Sequence, residues 1–135
     1  MVQAKDTRQI SYIQAINESL RYELESDPNV IIMGEDIAGG GEREDFQDAW
    51  GGPMRLTNGL VGQFGRARIR DTPISVRRVL GAGVGGAASG CRPVVALMYV
   101  RFYGVWADQI TYKDATLHFM FGGQAKAPQP IMTGL

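Results

Sequence analysis

Asn29-Val30-Ile31-Ile32-Met33-Gly34-Glu35-Asp36 decides how this chain folds. Four apolar residues in succession show no polar alternation. Such a run reads as a short strand covered on both faces, the mark of a parallel sheet with helices packed on each side. Upstream, Asp27-Pro28 ends a helix, because proline cannot continue one. That helix opens with Ser11 and Gln14 at capping-box spacing, and Ile13, Ile16, Leu20 and Leu24 follow at helical intervals. Helix, sharp stop, buried strand is the unit from which the rest can be read.

The same alternation continues downstream. Residues 34–53 are rich in glycine and acids, with Gly39-Gly40-Gly41 and Gly51-Gly52, and read as a long surface loop. Loops of that length are usually functional or mobile. A short helix is expected over 60–64, a strand over 67–70 and a helix over 77–89. The last is dense in glycine, which costs helix propensity and calls for close backbone packing in return. A strand over 93–100, a helix over 104–119, a Gly122-Gly123 loop and a strand over 130–133 complete the order. Strands separated by helices imply an α/β fold of three layers, with a mainly parallel sheet and right-handed crossovers. No repeat of 20 to 50 residues divides the chain.

Composition narrows the function classes. The 135 residues, 44% of them hydrophobic, can bury one core, and a single domain over 1–135 is expected. Fourteen basic residues balance fourteen acidic ones, so nothing argues for nucleic acid or an anionic membrane as partner. No apolar run reaches membrane-spanning length. The single Cys91 excludes an internal disulfide and suits a reducing, cytoplasmic setting. Cys91 and the lone His118 are too few for a zinc site, and no other metal site is expected. Gly81-Ala82-Gly83-Val84-Gly85-Gly86 superficially resembles a dinucleotide fingerprint, but its glycines fall inside a helix and not between strand and helix.

Five stretches in register carry a family likeness: Gly34-Glu35-Asp36-Ile37-Ala38; Phe64-Gly65-Arg66 with Asp71-Thr72-Pro73-Ile74-Ser75; Arg92-Pro93-Val94-Val95; Asp108-Gln109-Ile110; and Met120-Phe121-Gly122-Gly123-Gln124-Ala125-Lys126. In them the chain resembles the beta subunit of the thiamine-diphosphate-dependent decarboxylase component of 2-oxo-acid and acetoin dehydrogenase complexes. The likeness implies a transketolase-like, pyrimidine-binding domain, shorter than the family's and without its C-terminal domain. It also implies an alpha-type partner, which in the family holds the diphosphate and magnesium. This chain alone is not expected to carry a cofactor.

The resemblance also locates the site. Family members place a carboxylate against N1′ of the aminopyrimidine, at the position that is Val76 here. Valine has no proton to exchange, and a pyrimidine docked there would leave N1′ unpaired at a cost of about 1–3 kcal/mol. No catalytic residue is therefore assigned. Glu35 matches a supporting contact to the cofactor, although a loop acid capping a backbone turn would look the same. Phe102 matches an aromatic packed on the pyrimidine, although a core phenylalanine would look the same. Asp36 and Asp71, with Glu35, are expected at carboxyl ends of strands, where α/β sheets place ligands.

Departures from the family cluster around this cleft and on surfaces the family uses for subunit contacts. They include Met54 to Asn58, Arg77, Arg78, Ala96, Arg101, Trp106, Thr111, Tyr112, Lys113, Asp114 and Thr116. Arg77, Arg78, Arg101, Tyr103, Trp106 and Tyr112 belong to residue classes enriched at binding hot spots, and are the interface candidates. A filled core and a solvated basic face would use the same residues. Arg66, Arg68 and Arg70 alternate, as on one side of an edge strand, where basic residues discourage aggregation. Two functional readings lead: a non-catalytic derivative acting through self-assembly or partner binding, and a beta-type subunit active only with an alpha subunit. A binder of some other small molecule in the old pyrimidine cleft is a third.

Overall fold

The computed structural model describes residues 8–39 and 50–135; the Gly40-Gly41 part of the long acidic loop lies outside the described residues. Four parallel strands form one sheet in the order β2-β1-β3-β4, where β1 is Val30–Glu35, β2 Ile69–Thr72, β3 Arg92–Leu97 and β4 Ile131–Thr133. The parallel α/β expectation is met. β1 sits in the middle, pairing Ile32 with Ile69 on one side and with Val94 on the other. That central place is why its sequence is continuously apolar.

Period-two alternation sends neighbouring side chains to opposite faces. One core gathers Val30 and Ile32 with Leu20 and Leu24 of helix α1 (Tyr12–Ser26) and Leu60 and Val61 of α2 (Leu60–Phe64). The other gathers Met33, Val95 and Leu97 with Val79 and Leu80 of α3 (Val76–Ala88) and Trp106 of α4 (Tyr103–Asp108). The capping box at α1 is present in full: the Ser11 hydroxyl accepts from the Gln14 N–H and the Gln14 side chain accepts from the Ser11 N–H.

Three sequence expectations need correction. The second strand begins two residues later than expected, at Ile69, because Gly65 adopts φ 74° and its carbonyl accepts from the N–H groups of Arg68 and Ile69 in a turn. Arg66 and Arg68 therefore lie in that turn and do not line an edge strand. The Arg68 guanidinium instead reaches back under α1. Its Nε donates to the Val30 carbonyl at 2.5 Å, and its Nη2 to those of Leu24 and Asp27 at 3.1 and 2.8 Å. The third strand stops at Leu97, and residues Val100–Phe102 form a 3-10 turn.

The expected helix over 104–119 is continuous but not uniform. α4 passes into a π-helical segment, Gln109–Asp114, and then into α5, Ala115–Met120. Such π segments often mark functional positions. The glycines of α3 do serve close packing at one place: a Cβ on Gly83 would lie 2.3 Å from Gln129 Oε1 and 2.9 Å from Val95 Cγ2.

Candidate functional site

The strands point their carboxyl ends at one edge of the sheet, and the residues singled out by sequence gather there. Glu35 closes β1, Val76 opens α3 and Met98 follows β3; the three line one void with Pro73, Ser75 and Ala96. That void holds about 10 Å³, space for about one water. Gly34 is what lets β1 and β3 close so tightly, since a Cβ there would meet the Ala96 carbonyl oxygen at 2.7 Å.

Each acid at this edge has a definite situation. Burial raises the Glu35 pKa above its ordinary value, and the neighbouring charge of Asp36 adds to the rise. Asp36 itself sits in the left-handed region at φ 54°. Asp71 is committed to structure: Oδ1 accepts from the Ala38 N–H at 2.6 Å, and Oδ2 pairs with Arg66 Nη1 at 3.4 Å. It ties the end of β2 to the turn after β1. The same turn is fastened by the buried Thr57, whose hydroxyl donates to the Ile37 carbonyl at 2.7 Å.

Phe102 is not a core phenylalanine: it is 47% exposed. The Arg101 guanidinium lies 5.6 Å from its ring centre and 5.2 Å from that of Tyr99, within cation–π range of both. Arg77 and Arg78 lie exposed in the first turn of α3. Arg77 Nη2 donates to Asp108 Oδ2 at 2.6 Å, and Gln109 Nε2 donates to the same oxygen at 2.9 Å. The Gln109 amide and then the Arg77 guanidinium hold the Asp108 carboxyl below the usual range. This pair joins the start of α3 to the junction of α4 with the π-helical segment.

Trp106 is 3% exposed and packs in the core under α4, so it offers no surface to a partner. Tyr103 meets its ring edge-on at 4.9 Å between centres and is itself half exposed. Tyr112 is exposed, as are Phe119, Met120 and Phe121, and none of these last three is among the interface candidates read from the sequence. Their signal was available in three consecutive large apolar residues at a helix end. His118 is structural, with Nδ1 donating to the Ala125 carbonyl at 2.8 Å. Among the described residues no group of three or more His, Cys, Asp or Glu converges to hold a metal, and no helix is long and apolar enough to cross a membrane.

Residues 8–133 match the pyrimidine-binding domain of transketolase, and the chain belongs to that family. It is 43% identical over 128 residues to the beta subunit of acetoin:2,6-dichlorophenolindophenol oxidoreductase of Bacillus subtilis, covering 93% of this chain and 37% of that protein. The corresponding subunit of Cupriavidus necator is 45% identical over 124 residues, 92% of this chain and 36% of that protein. A chloroplastic pyruvate dehydrogenase E1 component, subunit beta-3 of Arabidopsis thaliana, is 34% identical over 128 residues, 95% of this chain and 29% of that protein. The chain thus spans between 29% and 37% of the length of these curated relatives.

The residues at this edge lack the carboxylate that the resemblance places against the pyrimidine: α3 opens on the methyl groups of Val76, and the carboxylate beside it is Glu35.

Proposed function

We propose that this chain is a pyrimidine-binding-type module of the beta-subunit lineage that acts by protein association and not by turnover of its own. The observation that carries the reading is the helix from Tyr103 to Met120. It buries Trp106 and leaves Tyr112, Phe119 and Met120 at 68%, 86% and 69% exposure. Large apolar side chains are costly to leave in water, and their exposure on one helix is the ground for reading it as a contact surface. Val76 at the head of α3, with no proton to exchange, weighs on the same side. The partner is a second copy of the chain or an alpha-type subunit.

A second reading, a beta-type subunit that turns over once an alpha-type subunit is present, draws support from one feature. Glu35 is a half-buried carboxylate with a raised pKa facing the same void as Val76. Co-expression with an alpha-type subunit of an acetoin or 2-oxo-acid dehydrogenase separates the two. The association reading expects a stable complex, or self-association, with no decarboxylation above background, and none gained in Val76→Glu. Full activity of the unmodified chain with that subunit, lost in Glu35→Gln, would overturn it.

A further inference from the structure

Residues 51–58 form a small closed loop at the carboxyl edge of the sheet. Its two ends touch: a Cβ on Gly51 would lie 2.3 Å from the Asn58 nitrogen, and the Thr57 N–H donates to the Gly51 carbonyl at 3.4 Å. Gly51 and Gly52 take φ 89° and 72°, and Gly59 takes 77° where the loop runs into α2. Loops of this length with apposed ends are compact units and are often functional. Two side-chain anchors hold this one down. The Thr57 hydroxyl donates to the Ile37 carbonyl, in the turn after β1, and Asn17 of α1 donates to the Leu56 and Asn58 carbonyls.

The loop bears on the strand-end void through two shared residues. Met54, Leu56 and Thr57 close a second void, also of about 10 Å³, over Ala96 and Met98. The same Ala96 and Met98 wall the void that Glu35 and Val76 line. They are the partition between the two. Met98 is half-buried, and methionine, unbranched and flexible, adapts readily to new space. We propose that the 51–58 loop is a gate on the strand-end void. Anchored, it keeps the partition against Glu35 and Val76. Released at Asn17 and Thr57, it lets Met98 swing aside, and the two voids join into one cleft open to water. Local opening of this kind draws on weakly held segments and leaves the core folded. The gate concerns the carboxyl edge and stands apart from the association reading, which places its contact on α5.

Thiol labelling measures the gate directly. In a Cys91→Ser background the partition receives one thiol, by Ala96→Cys in one protein and Met98→Cys in another, with the fold checked by circular dichroism. A small water-soluble thiol reagent is expected to label either folded protein at least about tenfold more slowly than the same chain in urea. Asn17→Ala and Thr57→Val each strip carbonyls of their donor, and each is expected to speed labelling of the folded protein by about tenfold. Arg68→Ala, which loosens α1 at its other end, is expected to leave the rate unchanged. Labelling as fast in the folded protein as in urea would mean that nothing closes the partition off. No acceleration by either anchor variant would mean that the loop is not what closes it. Equal acceleration by Arg68→Ala would mean that the reagent enters by general unfolding, and the gate would fall with it.

Discussion

The first helix and the long helix after β3 are both amphipathic, yet the molecule treats them differently. α1 brings Leu20 and Leu24 to the sheet and is fixed at both ends, by the Ser11–Gln14 capping box and by Arg68 beneath its last turn. Asn17 Nδ2 also donates to the Leu56 and Asn58 carbonyls at 2.7 and 3.1 Å, tying α1 to the 51–59 segment. The helix from Tyr103 onward is anchored near its start by Trp106 and Ile110, and α5 has no buried residue. α1 buries Leu20 and Leu24 and leaves Tyr12, Ile13, Ile16 and Tyr22 exposed, but its ends are held. α5 buries nothing and carries Phe119 and Met120 exposed, which is the physical basis for reading it as a contact.

The largest effect should separate two aromatic residues on the same helix. Trp106→Ala removes a buried side chain and is expected to cost about 3–5 kcal/mol in urea unfolding. Phe119→Ala, at low concentration where the chain is monomeric, is expected to stay within about 0.5 kcal/mol of the parent. Similar losses at both positions would mean that α5 is packed within the monomer, and the contrast between the helices would collapse.

The anchoring of α1 can be sharpened next. Arg68→Ala strips one guanidinium from three carbonyls, those of Leu24, Asp27 and Val30, all at the hinge where α1 turns into β1. Leaving part-buried acceptors without their donor is expected to cost about 1–3 kcal/mol. Amide exchange should accelerate in the last turn of α1 and spare α4. Protection lost evenly over both helices would argue that Arg68 supports the sheet as a whole.

Much of this was legible in the chain, and the failures have physical causes. Val30 to Met33 announced the central strand because a strand covered on both faces has no reason to alternate. Ser11 and Gln14 announced α1 because a capping box is local chemistry. The alternation of Arg66-Ala67-Arg68-Ile69-Arg70 predicts a strand start two residues before the true one, because Gly65 turns the chain there. Trp106 and Tyr112 belong to the same residue class and lie on the same helix, so only packing could say that one is core and the other surface. Val76 and Glu35 meeting at one void follows from topology, since both lie at the carboxyl edge of a parallel sheet. The size of the void does not follow, because it depends on Gly34 letting two strands close on Ala96.

The smallest effect concerns that void, and its sign can be worked out. Burial first, and Asp36 second, raise the Glu35 pKa above the ordinary value of 4.5. The folded state therefore holds the Glu35 proton more firmly than the unfolded chain does. Stability from this group is fully present below the ordinary carboxyl value and is lost as pH rises through the raised one. Glu35→Gln stays neutral at every pH and does not suffer that loss. The parent and the variant should differ by a constant amount in acid, and the variant should gain on the parent as pH climbs from about 4 to 7. Urea midpoints across that range measure it. A constant difference throughout would mean that Glu35 is solvated in the folded chain, and that the strand-end void it lines with Val76 does not shield it from water.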